Sequence, residues 1–277
     1  MKKQILGLVA TVAIAATAAV PASAHRQWMM PSSTVLSGDD VWVTVDAAVS
    51  NDLFYFEHQP LRLDAMKAWA PDGTEVAIEN KATGRYRSTF DVHLTQKGTY
   101  RIASVADMLM GSYDLNGKTE RLPRGTTAAN LAERIPAGAT NVKTAEANNR
   151  NEIFVTVGEP TTTLFKPTGK GIELVPVTHP NDLIAGEAAT FQFLLDGKPA
   201  AELPVTVIPD GISYRDQLGQ IDLKSGADGT VAIDWPEPGM YWLNVTTPQA
   251  EREQGAGGPP PLARRASYVT TLEVMAP

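Results

Sequence analysis

Short runs in which apolar and polar residues alternate recur along most of the chain. Phe90, Val92 and Leu94 alternate with Asp91 and His93, the period of a strand that buries one face. Residues 41–45, 100–105 and 153–157 carry the same β-branched and aromatic pattern. Pro71-Asp72-Gly73 and Lys97-Gly98 supply tight turns between such runs.

The pattern fails between residues 117 and 151. Residues 121–151 are polar and interrupted by Gly125, Pro136 and Gly138, leaving room for a short helix near 127–135 capped by Thr126 or Thr127. That composition predicts a long mobile insertion. After a linker at 158–163, seven further strand signals follow at 172–177, 189–195, 205–208, 220–224, 231–235, 241–245 and 268–274. The Gly/Pro-rich residues 249–265 read as a long exposed loop. The expected fold is all-β, with two Greek-key β-sandwich domains of immunoglobulin or transthyretin type. Their expected bounds are 25–158, including the polar insertion at about 117–151, and 161–277, the latter able to fold by itself.

Residues 1–24 stand apart. Lys2 and Lys3 precede an apolar run at 5–20, and Ala22-Ser23-Ala24 has the small-x-small form of a signal-peptidase site. The run is as long as a signal-peptide core and short for a membrane span. Cleavage after Ala24 is expected to deliver a periplasmic chain that starts at His25 and is not inserted in the membrane. Losing Lys2 and Lys3 moves the net charge from −7 to −9, which argues against nucleic acid as a partner. The chain has no cysteine, which removes disulfides, thiolate metal sites and thiol nucleophiles.

No G-x-S-x-G, H-E-x-x-H, Walker or dinucleotide motif is present, and nothing in the sequence announces an enzyme. The chain has four histidines. A mature chain starting at His25 presents an α-amine and an imidazole that can chelate one metal ion together, and imidazole suits copper, nickel and zinc. His58, beside Glu57, is the candidate second imidazole. Neighbouring strand residues face opposite ways, so Glu57 and His58 share a metal only if the backbone turns there. His93, on the polar face of its strand, is a third candidate, and His179 reads as structural. Met29, Met30, Met108 and Met110 are soft donors suited to Cu(I), although methionine usually fills cores.

The opening His25-Arg26-Gln27-Trp28-Met29-Met30-Pro31 resembles the A-H-x-x-W-x-x-P start of an exported bacterial family, domain of unknown function 4198, formerly labelled a nickel-uptake substrate-specific region. The segments 51–56, 98–102, 171–176, 195–199, 227–241 and 265–268 extend the resemblance over nearly the whole mature chain. It implies a periplasmic accessory protein acting with a nickel or cobalt uptake system or an outer-membrane receptor, with His25 as the residue carried over. The chain has no histidine-rich loop, which argues against bulk metal storage. Binding or delivery of a divalent transition metal (nickel, cobalt or copper) by a non-enzymatic protein is therefore the leading expectation. A recognition module for a receptor, peptide or sugar, and a copper-dependent oxidative enzyme with an N-terminal histidine site, are the alternatives.

Overall fold

A computed structural model describes residues 25–248 and 262–277. The expected leader at 1–24 and most of the expected loop at 249–265 lie outside the described residues. No helix among the described residues is long and apolar enough to cross a membrane.

The first half contains β1 (Arg26–Pro31), β2 (Val35–Leu36), β3 (Val41–Ser50), β4 (Gln59–Pro60), β5 (Met66–Trp69) and β6 (Glu75–Val76). It continues with β7 (Glu79–Thr83), β8 (Ser88–Leu94), β9 (Gly98–Leu115), β10 (Lys118–Arg121), the one-turn α1 (Leu131–Arg134) and β11 (Thr140–Val157). The second half adds β12 (Ile172–Pro176), β13 (Ala188–Leu195), β14 (Lys198–Pro199) and β15 (Pro204–Pro209). It ends with β16 (Ile221–Lys224), β17 (Thr230–Asp234), β18 (Gly239–Thr246) and β19 (Arg265–Val274). All seven strand signals of the second half are occupied, and the fold is an all-β sandwich.

A ten-stranded sheet ordered β16-β15-β18-β19-β11-β9-β5-β6, with β10 paired to β9 and β2 to β11, runs through both halves. Its seam is a parallel ladder that sets Ala147 to Glu152 of β11 beside Arg265 to Thr270 of β19. The five-stranded sheet β1-β3-β8-β7 with β4 belongs to the first half, and β12, β13, β14 and β17 form a four-stranded sheet in the second.

The two smaller sheets cover opposite faces of the large one. Tyr100, Ile102, Ile153 and Val155 pack on one face against Val43, Val45, Phe90 and Val92. Phe154, Leu243, Val245 and Tyr268 point the other way and pack against Ile172, Phe191, Phe193 and Ile233. The strict alternation of Phe90, Val92 and Leu94, all buried, is the sequence signature of this covering. Trp28 of β1 and Ala48 of β3 extend the first covering onto Ile208, Trp242 and Val269. Each face of the large sheet nevertheless keeps an open part, and both open parts carry grooves.

The segment expected to be a mobile insertion contributes β10 and the outer part of β11 to a β-ribbon. β9 and β11 pair antiparallel from Gly98–Val157 out to Asp114–Thr140. Neither small sheet covers the ribbon's outer half, and most of its side chains are exposed or half-buried, so side-chain alternation has no core to report there. Residues 122–126 lie along it: Leu109 N donates to Thr126 O at 2.7 Å and Leu122 N to Gly111 O at 2.9 Å. Gly111 has φ 154°, and a Cβ there would stand 1.9 Å from the carbonyl oxygen of Lys143, so only glycine fits at that crossing. The expected helix at 127–135 shrinks to α1, preceded by Thr127 N donating to Asn130 Oδ1 at 2.7 Å.

At the seam, Arg150 is buried with two carboxylates, Glu152 at 3.4 Å and Glu173 at 3.3 Å. Glu173 also accepts hydrogen bonds from Thr168 N, Thr168 Oγ1 and Gly169 N. Burial alone would raise the Glu173 carboxyl above its ordinary 4.5, but these donors and Arg150 bring it below. Burial, reinforced by Glu152, pushes the enclosed Tyr268 phenol well above 10.

His179 joins the linker to both halves. It accepts from Asn181 N at Nδ1 (3.1 Å), and Nε2 faces Thr99 Oγ1 (3.1 Å) and Thr161 O (3.3 Å). With Nδ1 accepting, Nε2 carries the proton. Burial lowers its pKa below 6.5 against the opposing Thr161 carbonyl and Asp182, and the other close aromatic neighbour is Phe165, edge-on at 5.5 Å. A histidine held neutral takes up its proton more readily in the unfolded chain, so its stabilisation is complete above about pH 6.5 and is lost as the pH falls. The melting temperature should therefore drop more between pH 7 and pH 5.5 in the wild type than in His179→Gln. Equal drops in thermal scans would reject this role.

Candidate functional site

β1 pairs with β3 so that Arg26 stands opposite Ser50, which places His25 beside the loop that follows β3. His25 itself adopts a left-handed backbone, φ 69°, immediately before the strand. The loop at 51–58 is shaped by an aromatic anchor. Trp28 Nε1 donates to Ser50 Oγ at 2.7 Å, and Ser50 Oγ donates to Asp52 O at 2.5 Å. Phe54, also left-handed at φ 60°, meets the Trp28 ring edge-on at 5.3 Å, and Phe56 meets it at the same distance. Arg26 Nη1 closes the loop by donating to Asn51 O at 2.7 Å. Trp242 Nε1 donates to Gln27 O at 2.9 Å, tying β1 to the second half.

This turn separates Glu57 from His58. The Glu57 carboxylate folds back to accept from Asn51 N and Asn51 Nδ2, and the Asn51 backbone bond is the main cause of its lowered pKa. His58 swings the other way and stacks on His25, the ring centroids 3.8 Å apart and the planes 8° from parallel. Both rings are exposed. Two imidazoles 33 positions apart in the chain thus share one exposed spot, and a neutral imidazole carries one nitrogen lone pair able to bind a metal.

His93 does not join them. It stands opposite Trp42, at the far end of β3 from Ser50 and roughly 26 Å along the strand by its rise per residue. Its Nε2 lies 2.6 Å from Asp40 Oδ1, and its ring stacks on Trp42 at 4.3 Å. It is a strand histidine hydrogen-bonded to Asp40, and of the three expected histidines only His25 and His58 stand together. Among the described residues no group of three His, Asp or Glu side chains is placed to hold a metal. Of the methionines, Met29 is fully buried in the first core. Met108 lines a groove of about 410 Å³ with His25, Gln27, Asn149, Asn244 and Ser267 on an open part of the large sheet.

Sequence reasoning reached the two histidines but missed the framework that brings them together. The Trp28–Ser50 bond and the back-folded Glu57 join residues through register and loop shape, which no local pattern encodes. The adjacent Asn51-Asp52 pair, common in turns, was the available signal.

Residues 22–249 match the family described as a domain of unknown function (DUF4198). No curated protein matches the chain. Among solved structures, the human OSCAR ligand-binding domain is 13% identical, the alignment covering 91% of this chain and 100% of that one, with a TM-score of 0.20. The D0-D1 domain of intimin is 10% identical over 89% of this chain and 97% of its own, with a TM-score of 0.21. A mutant Salmonella alpha-2-macroglobulin is 13% identical over 91% of this chain and 15% of its own, with a TM-score of 0.23. The fold is read from the chain's own sheets.

Proposed function

The chain belongs to the domain of unknown function 4198 family, and from that premise and the stacked histidines we propose a periplasmic, non-enzymatic protein that binds a divalent transition metal at its mature N-terminus. The observation that carries this reading is the contact between His25 and His58, 3.8 Å between ring centroids, in an exposed position. Cleavage after Ala24 would add the His25 amine to the two rings. Amine and imidazole nitrogens suit copper and nickel, and ligand preference puts copper ahead of nickel and cobalt. Two or three nitrogen ligands leave open coordination positions, the arrangement of a site that hands metal on to an uptake system or receptor at the membrane. Binding requires deprotonated ligands, so affinity falls as the pH drops.

Isothermal titration with Cu(II) and Ni(II) tests the reading on chain exported from cells, whose mass should correspond to a start at His25. His25→Ala should weaken binding by more than about tenfold, or 1.4 kcal/mol, and His58→Ala by less. One residue added before His25 should also weaken binding, since it turns the amine into an amide while sparing the ring. If the extended chain and His25→Ala both bind as tightly as the native chain, the site lies elsewhere and a recognition role becomes the better account.

A further inference from the structure

The opposite face of the large sheet carries a second cleft, of about 450 Å³, on its own open part. Its position follows from register. Lys67 stands opposite Ala103 and Trp69 opposite Arg101, while Val105 stands opposite Arg150, so all these side chains emerge on one face. Ala103 and Val105 are small and form the floor between larger neighbours; Lys170, from the segment before β12, closes one side. The volume falls in the range of small-molecule sites.

Four cationic side chains and one carboxylate line the cleft. Lys67 is held by Glu75 at 2.9 Å, Lys170 by Asp107 at 2.8 Å, and Arg150 by Glu152 and Glu173. Arg101 differs. Its guanidinium lies over the Trp69 ring at 4.6 Å and donates from Nη1 to Leu164 O at 3.1 Å. Among the described residues no carboxylate pairs with it, and its buried Nε has no acceptor. A guanidinium fixed by an aromatic ring, short of an acceptor and flanked by two ammonium groups, is a receptor for a planar oxyanion.

We propose that this cleft binds a small organic carboxylate, its carboxyl group taken by Arg101 with Lys67 and Lys170 at the flanks and its apolar body resting on Ala103, Val105 and the edge of Trp69. The site is independent of the histidine pair and shares no residue with it.

Titration of the full metal-free chain with benzoate at low ionic strength tests the proposal, with benzamide as the uncharged isostere and inorganic phosphate as the non-carboxylate anion. Benzoate should bind at least tenfold more tightly than either. Arg101→Gln and the exposed Lys67→Gln should each weaken it, the first by tenfold or more, while His25→Ala leaves it unchanged. Lys67→Gln keeps the test open if Arg101→Gln fails to fold. No benzoate binding at millimolar concentration, equal binding of benzamide or phosphate, or full affinity in Lys67→Gln and Arg101→Gln would overturn it. Loss of benzoate binding in His25→Ala would also overturn it, whereas failure of copper titration would not.

Discussion

Arg150→Met is expected to cost about 3–5 kcal/mol of stability, the penalty for stranding buried charge. The reason lies in what remains. Glu173 keeps three hydrogen bonds from Thr168 and Gly169, but Glu152, 3% exposed, has Arg150 as its side-chain partner and loses it. Against a total stability of roughly 5–15 kcal/mol, that loss threatens the fold itself. Urea unfolding at constant slope is the measurement. Adding Glu152→Gln should recover part of the loss, because it removes the uncompensated charge. A loss below about 1 kcal/mol would show that the carboxylates find other partners and that the network contributes little. Acid should act in the same direction on the native chain. The carboxyl of Glu173 is held below its ordinary 4.5, so the stability it contributes is in place above that pH and is lost as the pH falls through the lowered value.

A fragment of residues 161–277 is expected not to melt cooperatively as a monomer. The sequence marks it as a complete set of strands, and its core is indeed largely its own. Yet Phe154 enters that core from β11, and removing a buried phenylalanine costs about 3–5 kcal/mol. Losing β11 also strips the parallel ladder from Arg265 to Thr270 and leaves β19 as an open edge, prone to pair with another copy. A fragment beginning at residue 138 carries β11 with it and should recover a cooperative transition. Size-exclusion chromatography and thermal scans on both fragments decide the matter. A monomeric, cooperative 161–277 would mean that the seam joins two units without stabilising either.

Both predictions concern what the sequence left unread. Strands with one face on a core announced themselves: Phe90, Val92 and Leu94, or Val205 and Val207, are apolar at every second position because every second position is buried. The outer parts of β9 and β11 did not, since their stability comes from pairing with each other and neither small sheet lies on them. Arg150 sat inside the polar run Asn148-Asn149-Arg150-Asn151-Glu152, where a buried ion cluster and a solvated loop have the same composition. The seam between β11 and β19 joins residues more than one hundred positions apart and depends on global topology. The candidate metal site lay between these extremes. Its residues were legible one by one as rare histidines, and His93 was equally legible, but only the path of β3 and its following loop separates the pair that meets from the one that does not.

The opposed covering of the large sheet has a genetic consequence. Along β9 and β11, successive residues belong alternately to the two grooves: Ala106 and Asn149 face the histidine side, Val105 and Arg150 the cationic side. An insertion or deletion of a single residue within β11 would exchange the two sets, carrying Arg150 into the wrong groove and Asn149 into the ion cluster. A change of two residues would keep each set on its own side and only slide it along the ribbon. Point substitutions, by contrast, can reshape one groove with little direct effect on the other, so the two surfaces are free to diverge separately by substitution while being bound together by strand register.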